Sequence, residues 1–209
     1  SLAADEPRDD ALGRDMLRLS LLAAFAGAGI GVVGGAFQWC LIRAGTWMGD
    51  LVRWARDTPG PAWLVPVVVT MTAAALARAI VQRVPLAAGS GIQHVEAMWR
   101  GEIGRAPLRI VPAKFVGGLL SLASGMVLGR EGPTVQMGAV VGTEGARLAR
   151  LSPSDTAMLQ AAVAGAGLGV AFNAPLGGAL FTFEELTEEF RLRLAVTTLI
   201  ACPIAVGCS

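Results

Sequence analysis

The sequence contains an apolar run, residues 17–42, that is long enough to cross a lipid bilayer as an α-helix. Such a crossing takes about 20 mostly apolar residues. Further apolar runs cover residues 63–81, 108–129, 134–151, 156–186 and 192–207. No stretch shows the alternation of apolar and polar residues that is typical of a half-exposed β-strand. The pattern therefore predicts an all-α integral membrane fold, a multi-helix bundle.

The composition agrees with a membrane location. Hydrophobic residues make up 54% of the chain and charged residues 16%, with a mean hydropathy of +0.58. A soluble domain carries about 25% charged residues. The formal net charge of +1 argues against a nucleic-acid partner, because such a partner requires a basic surface. We therefore expect the lipid bilayer, and no nucleic acid, among the partners.

Residues suited to metal or covalent chemistry are scarce. Cys40, Cys202 and Cys208 have neither the number of a disulfide framework nor the spacing of metal ligands. His94 is the only histidine, which leaves no partner for a histidine-based metal site or catalytic triad. We expect no metal, no cofactor and no enzymatic activity. A purely structural membrane subunit is one alternative.

Small residues recur at every fourth position in three of the apolar runs. The rows are Gly27, Gly31 and Gly35; Gly117, Ser121, Gly125 and Gly129; and Ala161, Gly165 and Gly169. Spacing of four places small residues on one helix face, where they let two backbones approach closely in lipid. We predict close helix packing along all three rows.

The first 16 residues differ from the rest by their high charge. They lack the basic end and short apolar core of a secretory signal peptide. Arg14 precedes the first apolar run and Arg18 lies at its start, which indicates a cytoplasmic N-terminus. We therefore predict a cytoplasmic N-terminal segment, residues 1–16, and a transmembrane helical domain, residues 17–209. Because the sequence stops at "CPIAVGCS", within an apolar stretch, we also expect a longer polypeptide.

The segment "AAGSGIQHVEA", residues 87–97, interrupts the apolar pattern with a Gly-Ser-Gly turn before a helix-like stretch. Glycines expose backbone N–H groups, Ser90 adds a hydroxyl donor, and a helix N-terminus carries about half a positive charge. Together these groups can bind an anion without a cationic side chain. The alternative is a serine that merely caps a helix.

The segment "GREGPT", residues 129–134, places two charged residues between apolar runs. Gly132 and Pro133 break the run, and Pro133 suits the first turn of a new helix. Glu131 would then lie near a positive helix end at membrane depth, where ionisable residues are costly and usually functional. The alternative is a solvated pair of Arg130 and Glu131 at the membrane interface.

Two further segments carry candidate charges. Pro175 breaks the run 156–186, which ends in Glu184 and Glu185. These glutamates are either functional or ordinary helix-end residues in water. Lys114 lies near the start of the run 108–129. It either extends its ammonium group to the interface or supplies positive potential to an anion pathway.

Taken together, "GSGI", "GREGPTVQMGA" and "AFNAPLGGALFTFEE" resemble the CLC family of chloride channels and proton-coupled chloride transporters, bacterial type. The likeness covers most of residues 85–190 and includes Gln136, which follows "GREGP" by three positions. It implies broken and tilted helices, and the first of two inverted-topology repeats. It also implies a missing C-terminal half, a homodimer, and a location in the bacterial inner membrane.

The resemblance implies roles for individual residues. The anion-binding residues would be Ser90, Gly91, Ile92, Arg130, Glu131 and Gly132. Glu131 resembles the gating glutamate, which competes with the anion and takes up a proton. Glu185 resembles the inner proton-transfer glutamate, with Glu184 beside it on the proton pathway. Lys114 resembles the buried lysine that raises the potential near the pathway. The family usually has Pro-Glu where this chain has Gln93 and His94, which predicts a looser turn there.

The function that this resemblance implies is chloride transport, with chloride as bound substrate and protons moving in exchange. The exchange would be gated by Glu131. The alternative is a passive chloride channel gated by voltage or pH. His94 is then either a pH-sensitive charge near the pathway or a simple surface histidine.

Overall fold

The computed structural model describes the backbone of residues 6–209 and the side chains of residues 13–209. The α-helices are α1 Glu6–Asp57, α2 Leu64–Arg83, α3 Ile92–Trp99, α4 Ile110–Ala123, α5 Glu131–Leu148, α6 Pro153–Phe172, α7 Pro175–Phe181 and α8 Leu192–Gly207. Two 3₁₀ turns, Pro61–Trp63 and Pro85–Ala87, and one π-helical turn, Thr182–Leu186, complete the regular structure. The prediction of an all-α fold is confirmed, since residues 6–209 contain no β-strand.

Helix α1 is much longer than the predicted run 17–42. It has 52 residues and continues through the predicted boundary between residues 16 and 17. Part of the predicted N-terminal segment, residues 1–5, lies outside the described residues. The extension after residue 42 is rich in charged and polar side chains, so hydropathy alone did not reveal it.

The predicted helix break at Pro175 is confirmed. The apolar run 156–186 divides into α6, α7 and the π-helical turn, and Asn173 in the left-handed conformation ends α6. Helices α2 and α8 match their predicted runs closely, and α5 begins three residues before the run 134–151. Within the described part of the chain, three helical stretches are long and apolar enough to span a membrane: Gly13–Asp57, Pro61–Arg83 and Pro153–Phe172.

The predicted helix over residues 108–129 is wrong at its C-terminal end. Helix α4 stops at Ala123, and Gly125 has a φ of 90°, a left-handed conformation that a helix cannot continue through. The predicted packing row that included Gly125 and Gly129 is therefore wrong as well. A Cβ on Gly125 would meet nothing within 4 Å, and a Cβ on Gly129 would meet the nearby Glu131 side chain.

The row of Gly27, Gly31 and Gly35 does pack as predicted, against helix α8. A Cβ on Gly27 would lie 2.7 Å from the carbonyl oxygen of Ala201. Gly31 meets the backbone of Ala205 in the same way, one turn further along both helices. The absence of side chains thus lets α1 and α8 pack backbone to backbone.

Helices α5 and α6 form the centre of the bundle. A Cβ on Gly142 of α5 would lie 2.8 Å from the carbonyl oxygen of Leu159 of α6. The α6 backbone lies against Gly138 as well, and Gly167 of α6 packs on Thr134. Most residues of both helices are buried. This packing fixes the N-terminal end of α5, where Glu131 begins the helix.

Candidate anion site

A cavity of about 560 Å³ lies between the start of α5, helix α4, helix α2 and the loop before α3. The polar and charged side chains on its wall belong to Arg78, Ser90, Lys114, Ser121 and Glu131. The backbones of Gly89, Gly129 and Gly132 also line it. Two segments that the sequence singled out as separate motifs, "GSGI" and "GREGP", therefore meet at one site.

Glu131 is the first residue of α5, so its side chain lies at the positive end of that helix. The carboxyl group folds back over the backbone of Gly129, where any side chain on residue 129 would collide with it. No ion pair joins Glu131 to Arg130 in the described part of the chain, which speaks against the alternative of a solvated pair. Arg130 is exposed and does not line the cavity.

Ser90 is packed against the first turn of α5. A Cβ on Gly132 would lie 2.6 Å from the carbonyl oxygen of Ser90 and 2.5 Å from its hydroxyl oxygen. The alternative of a capping serine is wrong, because Gly91 is the N-cap of α3 and no side chain caps that helix. Gly91 adopts a φ of 96°, which favours glycine. Ser90 is thereby left facing the cavity.

Lys114 is buried and has two hydrogen-bond partners. Its Nζ donates to the carbonyl oxygen of Gly89 at 2.7 Å and to that of Ala87 at 3.1 Å. The side chain is 4% exposed, so it does not extend to a membrane interface. Lys114 therefore ties the loop that carries Ser90 to α4, as well as bringing positive charge to the cavity.

Three other predicted residues lie at the edge of this site or away from it. Ile92, the first residue of α3, is half-buried and does not line the cavity. Glu184 and Glu185 lie on the π-helical turn, are exposed, and do not line the cavity either. The structure thus brings Glu131 together with Ser90 and Lys114, and it leaves the two glutamates of the turn outside this group.

The turn after Ser90 is regular, although Gln93 and His94 depart from the family pattern. The amide of Val95 donates to the Gly91 carbonyl oxygen at 3.2 Å and so closes the first turn of α3. The looser turn stays a prediction. His94 is half-buried, and burial, followed by the positive charge of Lys114, lowers the pKa of its imidazole. Both effects favour the neutral ring.

Gln136 is a residue that the sequence reasoning used for recognition but gave no role. It is completely buried in α5, and its Nε2 donates to the carbonyl oxygen of Leu86 at 2.8 Å. A signal was present in the sequence: Gln136 is a polar residue among apolar and small neighbours, one turn after the helix start. Among residues 13–209 no three metal-binding side chains lie together.

Interrupted helices that meet at a cavity carrying a few polar and charged groups are typical of membrane transport proteins. Residues 73–209 match the family described as "Voltage gated chloride channel". The match covers more than half of the chain, and the chain therefore belongs to this family, the CLC family. The resemblance seen in its motifs is confirmed.

Relatives named "H(+)/Cl(-) exchange transporter ClcA" resemble almost the whole chain. The protein of Vibrio cholerae serotype O1 (strain M66-2) is 38% identical over 215 residues, 99% of this chain and 46% of its own length. The Citrobacter koseri protein is 38% identical over 88% of this chain and 40% of its own. The chain thus spans less than half the length of these relatives. Their names describe transporters rather than enzymes, as expected from the sequence.

Two solved structures share the fold. A slow cyanobacterial Cl⁻/H⁺ antiporter superimposes with a TM-score of 0.86 at 32% identity, over 91% of this chain and 46% of that one. A eukaryotic CLC transporter superimposes with a TM-score of 0.75 at 19% identity, over 91% of this chain and 37% of that one, and supports the fold alone. The predicted membrane-type CLC fold is confirmed.

Proposed function

We propose that this chain is the N-terminal half of a transporter that exchanges chloride for protons across a membrane. The observation that carries the proposal is the meeting of Glu131 and Ser90 at one cavity, at the N-terminal end of α5. Relatives over almost the whole chain are named as H(+)/Cl(-) exchange transporters, which supports both the ions and the coupling.

A carboxylate and a chloride ion compete at such a site, because both are monovalent anions that accept hydrogen bonds from the same donors. The positive end of α5 and the Ser90 hydroxyl attract either one. Protonation of Glu131 removes its charge and so favours entry of chloride. By thermodynamic linkage, chloride binding then favours protonation of Glu131 by the same factor.

The proposed chloride site consists of Ser90, Gly91, Ile92, Arg130, Glu131 and Gly132, with Lys114 adding positive potential. The proposed proton pathway joins Glu131 to Glu185 and its neighbour Glu184. Arg130 would contribute through its backbone, because its side chain is exposed and does not line the cavity. Backbone and hydroxyl donors would hold the chloride, which keeps binding weak enough for release.

The proposal includes the rest of the assembly. The chain spans less than half the length of its relatives, so a second half of the same polypeptide would supply the remaining anion donors. Residues 17–209 would form the transmembrane domain and residues 1–16 a cytoplasmic segment. The complete protein would be a homodimer in the bacterial inner membrane, with lipid around it.

The proposal is tested by Glu131→Gln in the complete protein, reconstituted in chloride-loaded liposomes. We expect the unsubstituted protein to drive protons against their gradient as chloride leaves. The substitution removes the titrating group, so we expect proton pumping to stop while chloride flux continues. The measurement is extravesicular pH recorded alongside chloride efflux.

Glu144→Gln is the matched control, because Glu144 lies on the same helix and pairs with Arg147 at the surface. We expect it to pump normally. Pumping that survives Glu131→Gln would contradict the role of Glu131. Chloride flux without proton movement in the unsubstituted protein would contradict exchange and favour a passive channel.

A further inference from the structure

The loop before α3, residues 85–91, is held by two buried side chains from different helices. Gln136 of α5 donates from its Nε2 to the carbonyl oxygen of Leu86, and Lys114 of α4 donates to those of Ala87 and Gly89. Three of the carbonyl groups that precede Ser90 thus have donors from neighbouring helices. Carbonyl oxygens carry negative partial charge, so their orientation matters to any anion nearby.

The amide of Gln136 can take only one orientation here. With Nε2 bonded to Leu86, its Oε1 lies beside Gly91, where it is buried and has no hydrogen-bond partner among residues 13–209. The reverse orientation would place Oε1 of Gln136 against the carbonyl oxygen of Leu86, and the hydrogen bond between the two residues would be lost. An unpaired buried oxygen is costly, so this arrangement persists because the bond to Leu86 and the surrounding packing hold it.

Gln136 also contacts the other end of the same loop. A Cβ on Gly91 would lie 2.5 Å from Oε1 of Gln136 and 2.8 Å from its Cβ. The Gly91 backbone therefore rests directly on the glutamine side chain, in a left-handed conformation that glycine favours. One buried side chain thus fixes both ends of the loop relative to α5, the helix that begins with Glu131.

We infer that Gln136 is a positioning residue for the chloride site, acting through the loop that carries Ser90. By holding the Leu86 carbonyl and supporting Gly91, it keeps the loop carbonyls away from the anion and the Ser90 hydroxyl turned toward it. Gln136 itself does not line the cavity. This inference rests on the proposed chloride site.

The experiment measures chloride binding to the complete protein by calorimetry, together with chloride flux at increasing chloride concentration. Gln136→Met keeps the length and burial of the side chain but removes the donor. We expect chloride binding to weaken by about five- to tenfold, because the Leu86 carbonyl loses its buried partner and the loop is released. We expect the maximal flux at saturating chloride to change much less.

Gln160→Met is the matched control. Gln160 is an equally buried glutamine on α6, where its Oε1 accepts from the Thr143 hydroxyl at 3.1 Å, away from the loop. We expect it to lower thermal stability without changing chloride affinity. A purely structural role for Gln136 predicts the same pattern for both variants, since loss of folded protein lowers the amount of binding and not the affinity.

A second variant covers the case in which Gln136→Met does not fold. Gln136→Asn keeps the amide but is one methylene too short to reach Leu86, so we expect the same loss of affinity. Folded Gln136→Met or Gln136→Asn with unchanged chloride affinity would overturn the inference, and so would an equal loss of affinity in Gln160→Met. If the unsubstituted protein bound no chloride, the proposed function itself would fail, a result distinct from these.

Discussion

The chain places acidic side chains in two contrasting settings. Glu131 begins α5, is partly buried, and lines a cavity together with residues of α2, α4 and the loop before α3. Glu185 lies on a π-helical turn whose shape depends on nearby residues and whose carboxyl groups are exposed. The first setting is built by tertiary contacts, whereas the second is built by local hydrogen bonds.

This difference shows which groups of side chains the chain can assemble from its own helices. The cavity around Glu131 draws on helices α2, α4 and α5 and the loop before α3, all within this chain. The π-helical turn presents its acids outward, which suits a role completed by contacts outside the described residues. π-helical turns inside α-helices occur frequently at functional sites.

The largest effect that would distinguish the two settings is expected from Glu185→Gln in the complete protein. If Glu185 passes protons to Glu131, its removal stops proton pumping while chloride flux continues, although the two residues belong to different sites. The measurement is paired recording of proton and chloride flux in liposomes. Glu188→Gln, at another exposed position just beyond the turn, is the control and should pump normally.

An unaltered pumping rate in Glu185→Gln would show that the turn takes no part in proton transfer. Glu131 would then be a functional acid, and Glu185 an ordinary solvated one. A loss of pumping in the control as well would indicate a general disturbance of the turn.

The next largest effect is expected from adding a methyl group at two glycines. One is Gly132, in the first turn of α5, and the other is Gly177, in the helix that precedes the π-helical turn. In Gly132→Ala the new Cβ collides with the Ser90 backbone and hydroxyl, which cannot move independently of the loop. Overpacking of this kind costs about 1–3 kcal/mol, so we expect a lower unfolding temperature and weaker chloride binding.

The matched substitution is Gly177→Ala in α7, whose Cβ would lie 3.3 Å from the Cβ of Ala174, at an exposed position. We expect its stability to stay within about 1 kcal/mol of the unsubstituted protein, because alanine favours a helix. Equal losses in both glycine variants would contradict the contrast between tertiary and local construction. Thermal unfolding in detergent measures the stability of both variants.

The smallest effect is expected from Thr187→Val. Thr187 is buried, and its hydroxyl donates to the carbonyl oxygen of Thr182 at 2.7 Å across the π-helical turn. Valine keeps the shape but loses the hydrogen bond, at a cost of about 1 kcal/mol. We expect a modest drop in unfolding temperature. A loss as large as that of Gly132→Ala would mean that the turn is not a locally held element.

Much of the bundle could be predicted from the sequence, because apolar runs and helix breakers act locally. Pro175 and the row of Gly27, Gly31 and Gly35 behave as their sequence contexts indicate. The meeting of Ser90 and Glu131 was expected from family resemblance, and no property of either segment alone requires it.

Features that depend on distant partners could not be predicted in the same way. Lys114 bonds to carbonyl groups 25 and 27 residues away in sequence, and hydropathy gives no sign of either bond. Gln136 bonds to a carbonyl 50 residues earlier. The early end of α4 depends on the left-handed conformation of Gly125. Glycine permits this conformation but does not require it.

The length of α1 has a consequence for how the protein sits in its membrane. A helix of 52 residues measures about 78 Å at about 1.5 Å per residue, more than twice the hydrocarbon thickness of about 30 Å. Even strongly inclined, α1 extends beyond the lipid interior. Trp39 and Trp47 are exposed, and the Arg43 guanidinium lies 5.3 Å from the Trp39 ring, a combination suited to the headgroup layer. Between Trp47 and Asp57 the helix carries Asp50, Arg53 and Arg56, charged side chains that suit water rather than lipid.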